Sequence, residues 1–477
     1  MVRVRFAPSP TGHLHIGSLR TALFNFLFAR HHNGAFLLRI EDTDLERSKQ
    51  EYTDSIIRAF AWVGITSDEP IVIQSSRLKE HQKYVQQLLK EGKAYRCYCA
   101  QQEYQERSEG ISAEGEHYFK YDGHCRNVSP ETISDKPFVV RFKIPDDCTQ
   151  VTFHDLVRGD ITVTRDQLDD FIIMRSDGNP IYNFVVVVDD IAMRITHIIR
   201  GEDHISNTPK QILLYQALGH LSPAFAHIPL ILGPDGHRLS KRNAAVAVTD
   251  YQAKGYLPDA LCNYLVRLGW SYGDKEIFTR QEMIDYFSLA HVGKSASIFD
   301  IEKLDWMNGV YIRNTSDPVL LTSITQLQPD FINQLPHWTN EQIVRAISLY
   351  KDRVKTLVEL AAVIQKLYQP MHQYDAHELT QWVSKDTGSW LEQVIVRLQK
   401  LDVFYAEGIK KVLQEYVKTL PASFAYIAQP IRLALTGTTK SPGIYELLEL
   451  LGKEESCKRL ASFVIYIHNT MIEQKGL

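Results

Sequence analysis

The residues best suited to chemistry open the chain. In "RFAPSPTGHLHIGSLRTALF", residues 5–24, a strand-like start passes through prolines and glycines into an apolar run of helical spacing. Pro8 and Pro10 remove backbone donors, Gly12 and Gly17 let the backbone turn and approach a ligand, and His13 and His15 stand where the helix begins. Unpaired N–H groups and the positive end of the helix dipole favour an anion at such a start, and two imidazoles can hydrogen-bond phosphate oxygens. A second candidate is "GHRLSKRNAA", residues 236–245, where Arg238, Lys241 and Arg242 flank Ser240. A loop offering lysine and arginine can close over a polyphosphate and stabilise the charge that builds as phosphorus is attacked. The third is sulfur: Cys97, Cys99 and Cys125 supply three soft ligands, one short of a tetrahedral zinc site. Tyr121, His124 or water could complete it.

The elements that must position these groups follow from hydrophobic period. "VRVRF" reads as a strand, "SLRTALFNFLFARHH" as a helix carrying Leu19, Leu23, Phe26, Leu27 and Ala29, and "AFLLRIED" as a second strand. Strand, turn, helix and strand make a βαβ unit with a right-handed crossover, whose ligands bind at the carboxyl ends of the strands. From about residue 95 the runs "FVVRFKI", "ITVTRDQLDDFIIM" and "PIYNFVVVVDDI" are short and alternating, as expected of a mixed insertion that returns to the main sheet. In "TPKQILLYQALG", Thr208 is expected to cap a helix with Pro209 at its first position. Beyond about residue 250 nearly every segment has helical period. "SPGIYELLELLG" is expected to start with Ser441 as cap and to stop at Gly452.

Composition narrows the class. The chain has 477 residues, of which 44% are hydrophobic and 23% charged, an ordinary globular composition with room for several domains. Six cysteines are too few for a disulfide scaffold, and their clustering suggests a reducing compartment. No apolar stretch approaches the length needed to span a bilayer, so no membrane role and a cytoplasmic protein are expected. The formal net charge of −4 leaves a nucleic-acid binder only a local basic face.

Taken together, "APSPTGHLHIG" (7–17) and "LSKR" (239–242) resemble the two signature sequences of class I aminoacyl-tRNA synthetases, with wording similar to the glutamyl branch. "RIEDTD" (39–44), "YDGHCR" (121–126), "IRGEDHISNTP" (199–209), "KLDWMNGVYIR" (303–313) and "SPGIYELLELLGKE" (441–454) continue the likeness along nearly the whole chain. The resemblance implies an α/β fold: a Rossmann-like parallel-sheet catalytic domain at 1–94 and 186–240, and an α+β insertion at 95–185 for the tRNA acceptor end. It also implies a signature loop with a helical stem-contact region at 241–315, then an all-α anticodon-binding region at 316–477. The activity implied is ATP-dependent formation of glutamyl-adenylate, with Mg²⁺ accompanying ATP, and transfer of glutamate to the 3′-terminal adenosine of tRNA-Glu. Whether tRNA-Gln is also a substrate stays open. A monomer is expected.

Roles carry over where residues match. His15, Ile16 and Gly17 match the start of the HIGH signature, Ser18 standing for its last histidine; Lys241 matches the second lysine of KMSKS, with Leu239 for its methionine and Arg242 for its final serine. The implied ATP site is thus His15, Gly17, Lys241 and Arg242, with His15 and Lys241 catalytic. For glutamate the resemblance points to Arg5, Ser9, Glu41, Tyr182 and Arg200. Arginine suits a carboxylate and Glu41 the substrate ammonium, and either Arg5 or Arg200 could take the γ-carboxylate. An asparagine found in some relatives is Val186 here, so that contact does not transfer. Zinc-bearing relatives complete the thiol site with a histidine where this chain has Asn127, whereas a relative that glutamylates a tRNA base uses a tyrosine. The implied structural zinc set is therefore Cys97, Cys99, Cys125 and Tyr121. That base-modifying relative lacks a helical anticodon-binding region and an intact second signature, and the glutaminyl branch carries a β-barrel anticodon domain. The helical C-terminal third disfavours both, and His15, Gly17 and Lys241 disfavour a catalytically silent tRNA-binding protein.

Overall fold

The computed structural model describes residues 1–44, 46–99, 121–128, 136–237, 239 and 247–473, with residues 109–111, 117–119 and 470–473 as backbone only. In chain order the described strands are β1 (Arg3–Phe6), β2 (Ala35–Ile40), β3 (Val72–Ile73), β4 (Ala94–Cys97), β5 (Glu109–Ile111), β6 (His117–Phe119), β7 (Val139–Phe142), β8 (Gln150–Asp155), β9 (Gly159–Thr164), β10 (Ile172–Met174), β11 (His197–Gly201), β12 (Ala224–Ile228), β13 (Ile231–Leu232) and β14 (Ser297–Ile298). The main sheet has the order β3-β2-β1-β11-β12-β8-β9, parallel except for the β8/β9 hairpin at its edge. The chain winds outward through β2 and β3 on one side of β1 and through β11 and β12 on the other. A crevice therefore opens between the carboxyl ends of β1 and β11, where such sheets bind ligands.

The first crossover is the helix α1 (Ile16–His31). It is buried nearly all round, from Leu19 to Ala29, because it lies against the sheet on one side and further helices on the other. It ends where Asn33 takes φ 49° and Gly34 passes the carbonyl of Val2, which a Cβ at Gly34 would meet at 2.4 Å. β2 is buried at every position, as a central parallel strand should be.

Three local expectations are corrected. "PIYNFVVVVDDI" is not an alternating strand: Tyr182–Ala192 is a helix, with every residue from Phe184 to Asp190 buried. Burial overrides the strand preference of four valines. The helix at Thr208 starts one residue earlier than expected, continuing the 3₁₀ turn Glu202–Asn207, so Thr208 is its first residue and not its cap. Its hydroxyl is used elsewhere, as shown below. Ser441 caps nothing: its Oγ accepts from Arg432 Nη1 at 2.8 Å, and the helix starts at Ile444. Gly452 does break that helix, at φ 79° and ψ 166°, although a second helix follows at once.

Within residues 95–185 the β8/β9 hairpin completes the main sheet, while β10, β7 and β4 form a separate antiparallel sheet. The chain divides into two units, Met1–Tyr251 with Pro258–Ile301, and Gln252–Leu257 with Glu302–Leu477. The second is built of helices, packed on aliphatic residues such as Leu360, Leu391, Ile431, Leu447 and Leu460. Among the described residues no helix is long and apolar enough to cross a membrane.

Candidate active site

A cavity of about 250 Å³ lies at the carboxyl ends of β1 and β11. Arg5 enters it from β1, Glu41 from just beyond β2, Arg200 and Gly201 from β11, and His15, Gly17 and Ser18 from the start of α1. Tyr182 closes one side. The structure thus brings together Arg5, His15, Gly17, Glu41, Tyr182 and Arg200. Ser9 lines a neighbouring cavity of about 420 Å³, which shares Glu41 and Tyr182 with the first.

The helix start is shaped around its histidine. His15 is the N-cap of α1, and its Nδ1 accepts from Ser18 N at 3.2 Å. A Cβ at Gly17 would stand 3.2 Å from both Cε1 and Nδ1 of that imidazole, so a side chain there would press the ring aside by a few tenths of an ångström. His13 does not join it. Its Nδ1 meets Ser55 Oγ at 3.0 Å and its ring meets the Tyr52 ring edge-on, which removes the second imidazole from the phosphate reading.

Lys241 and Arg242 lie outside the described residues, which resume at Ala247 after Leu239. Leu239 lines the cavity and donates its N–H to Ile231 O at 3.4 Å. Ala247 pairs with His15 as an isolated antiparallel bridge, and Val248 N donates to Leu14 O at 2.9 Å. Leu239, the first residue of the second signature, therefore lies at the cavity wall, and Ala247 lies beside the first signature.

Buried charge sets the electrostatics. Arg39, wholly enclosed in β2, donates to Glu41 Oε1 at 3.0 Å and to Asp190 Oδ1 at 2.6 Å, and Arg5 Nε reaches the same Asp190 oxygen at 3.2 Å. Asp189, one residue before, takes Arg77, His81 and Gln74. This aspartate pair was not singled out from the sequence. Its signal was two adjacent acids ending the apolar run "NFVVVV", a place where carboxylates need cations. Burial raises the pKa of Glu41 against the opposing pull of Arg39 and Arg5, so its carboxylate is short of positive charge. Arg200 is in the converse position. Its Nε donates to His227 Nε2 at 3.1 Å and its Nη2 to Thr208 Oγ1 at 2.7 Å, both neutral groups, while Nη1 is buried without a partner. Tyr182 Oη meets His204 Nδ1 at 3.1 Å; burial pushes the phenol up to about 12, and burial with Arg200 pushes the imidazole down to about 4. Both stay neutral near pH 7.

The thiols converge too. The sulfurs of Cys97, Cys99 and Cys125 all lie within 4.8 Å of one another. Tyr121 Oη accepts from Cys97 Sγ at 3.3 Å and from Cys125 N at 2.8 Å, and the Arg141 guanidinium lies 3.7 Å from the Tyr121 ring centre. His124 and Asn127 are exposed. The loop is pinned by Asp169, which takes Tyr121 N at 3.1 Å, and by Asp170, which takes Arg126 through both oxygens.

The sequence matches the family of class I tRNA synthetases (E and Q), catalytic domain, over residues 1–306, and an anticodon binding domain over 324–464. Glutamate–tRNA ligases of Thermodesulfovibrio yellowstonii and Geobacter sulfurreducens are 48% and 44% identical to it, over 96% and 98% of this chain and 98% and 99% of their own. The crystal structure of a glutamate tRNA ligase from Elizabethkingia meningosepticum, in complex with its amino acid, superposes with a TM-score of 0.86 at 32% identity, covering 97% of this chain and 99% of that one. The chain belongs to the class I aminoacyl-tRNA synthetases, in their glutamyl branch.

Proposed function

We propose that this enzyme is a glutamate–tRNA ligase, using ATP to form glutamyl-adenylate and passing the glutamyl group to the 3′-terminal adenosine of tRNA-Glu. The observation that carries the reading is charge complementarity in one cavity. Two buried arginines, Arg5 and Arg200, and one buried carboxylate, Glu41, face the space that opens on the start of α1. Glutamate carries the matching set, two carboxylates and one ammonium. Glutamine would leave a buried guanidinium facing a neutral amide, a loss of several kcal/mol by the usual order of magnitude.

The mechanism follows from position. ATP phosphates lie at the start of α1, where the N–H groups, His15 and Gly17 receive them, and Lys241 and Arg242 supply further positive charge. Mg²⁺ accompanies ATP and offsets its charge. An α-carboxylate oxygen of glutamate attacks the α-phosphorus, pyrophosphate leaves, and the lysine and helix dipole stabilise the charge on the phosphate oxygens. A ribose hydroxyl of the terminal adenosine then attacks the glutamyl carbonyl, and AMP leaves. Ser9, in the adjoining cavity, reaches the substrate from the Glu41 side.

Three thiols within 4.8 Å of one another, with a phenol oxygen 3.3 Å from one sulfur, form a donor set suited to tetrahedral zinc. Cys97, Cys99, Cys125 and Tyr121 would hold it, bracing the segment 95–185 against the acceptor end; no chemical step passes through it. The helical region 316–477 reads the anticodon, and the enzyme acts as a monomer.

The test is charging of purified tRNA-Glu and tRNA-Gln with labelled glutamate by one preparation. Charging of tRNA-Glu is expected, and the tRNA-Gln arm defines discrimination. A folded, tRNA-binding preparation that charges neither would overturn the reading.

A further inference from the structure

The β8/β9 hairpin reaches the amino-acid cavity through a chain of buried polar groups. Asp155 ends β8 and is 1% exposed; Oδ1 accepts from Val157 N at 3.0 Å and Arg158 N at 2.8 Å, and Oδ2 from His227 N at 3.1 Å. Its Oδ2 also lies 2.7 Å from His227 Nδ1, on the adjacent strand β12. His227 is wholly buried, and its Nε2 faces Arg200 Nε at 3.1 Å and Thr208 Oγ1 at 3.1 Å. A guanidinium N–H can only donate, so Nε2 must carry the lone pair and Nδ1 the proton given to Asp155.

We infer that Asp155 and His227 are positioning residues for glutamate recognition: the carboxylate fixes the tautomer of the imidazole, which fixes the plane of Arg200. Two of Arg200's three nitrogens donate to neutral acceptors, His227 and Thr208, and the third, Nη1, remains buried and unpartnered beside the cavity. Neutral anchors orient the guanidinium without neutralising it, so its whole charge is left for a ligand carboxylate. Arg5 differs, since its Nε is already paired with Asp190. Burial holds His227 below the ordinary histidine range against the opposing hydrogen bond to Asp155, consistent with a neutral ring facing a guanidinium.

The inference rests on the glutamate-ligase reading, and the experiment separates the two. His227→Asn keeps an N–H for Asp155 and removes the acceptor for Arg200; His227→Gln places an oxygen near the Nε2 position. In full charging assays the Asn variant is expected to raise KM for glutamate about tenfold or more, the loss of one charge-assisted hydrogen bond. Its KM for ATP should not move, its kcat should stay within about threefold, and the Gln variant should recover most of the loss. A wild type that fails to charge overturns the ligase reading. An active wild type whose Asn variant keeps its KM for glutamate, or loses ATP affinity in parallel, overturns the inference alone. Should neither variant fold, the imidazole ¹⁵N shifts of His227 in the wild type decide: Nδ1 protonated and Nε2 bare is expected, and a protonated Nε2 at neutral pH overturns the inference.

Discussion

The two units of this chain bury different things. Among the described residues, the sheet-containing unit encloses Arg5, Arg20, Arg39, Glu41, Arg141, Asp155, Asp170, Asp189, Asp190 and Arg200, whereas in the helical unit the only charged side chain buried to that degree is Arg459. Buried charge is costly, and aliphatic packing would hold a fold at least as well. Part of the first unit's buried charge, Arg5, Arg20, Glu41 and Arg200, lines the cavity, while Asp170 and Arg141 hold the loop at 121–128. The second keeps its core for stability, and its function must lie on its surface.

The largest effect tests the helical side of that contrast. Leu447, fully buried in the last helix, is expected to cost about 2–5 kcal/mol of stability when changed to Ala, because the transfer loss is joined by a cavity. Thermal melting should show the loss while KM for glutamate at low temperature stays at the wild-type value. A changed KM would break the division. Arg200→Met is its mirror image. If Arg200 takes a substrate carboxylate as proposed, its removal should lower kcat/KM for glutamate by about 10²-fold, in the range measured for truncating a buried charge pair. Its Tm should hold, since an apolar side chain of similar length takes up the buried volume. A lowered Tm with activity intact would assign Arg200 to the fold instead.

A smaller effect comes from pH. Burial raises the pKa of Glu41 above the ordinary carboxylate value, with Arg39 and Arg5 pulling the other way. Substrate ammonium needs the ionised form, so kcat/KM for glutamate should fall as pH drops through that raised value, approaching tenfold per pH unit. The stability sign is opposite. A folded-state pKa above the unfolded one means that the folded protein prefers the protonated form, so this group's contribution to stability grows on acidification across that window. Activity lost at a step where Glu41 does not lower Tm would mark a site residue; the Glu41→Gln variant should lack the step.

The same contrast explains what could be read from sequence. Helical period and Gly/Pro punctuation locate α1, β2 and the C-terminal helices, because their packing is local and apolar. The two signatures were legible as short strings, and the bridge between His15 and Ala247 sets a residue beyond the second beside the first. What stayed hidden were buried polar groups whose partners lie far along the chain. Asp155 and His227 are 72 residues apart, and Arg39 and Asp190 are 151 apart. Each sits in or beside an apolar strand or helix, and no periodicity announces its partner. The helix Tyr182–Ala192 was misread for a related reason: buried on all sides, its valines carry neither the period of a strand nor that of a surface helix.

The smallest expected effect separates bracing from catalysis inside the first unit. The sulfurs of Cys99 and Cys125 lie 3.5 Å apart, and burial together with the neighbouring thiols pushes Cys99 up to about 12, so without a cation beside it Cys99 stays a neutral thiol. A bound zinc ion would hold the three cysteines as thiolates and tie β4 to the loop at 121–128. Cys99→Ser, or prolonged chelation, should therefore loosen the surface proposed to meet the acceptor end. The expected signature is a KM for tRNA raised about threefold to tenfold, with KM for glutamate and ATP unchanged, since second-site support of this kind is worth roughly 1 kcal/mol. Zinc content measured by elemental analysis should fall in step. A metal-free wild type with full activity would leave Tyr121, Asp169 and Asp170 as the loop's sole anchors, whereas a collapse in kcat on chelation would place the metal nearer the chemistry than the geometry puts it.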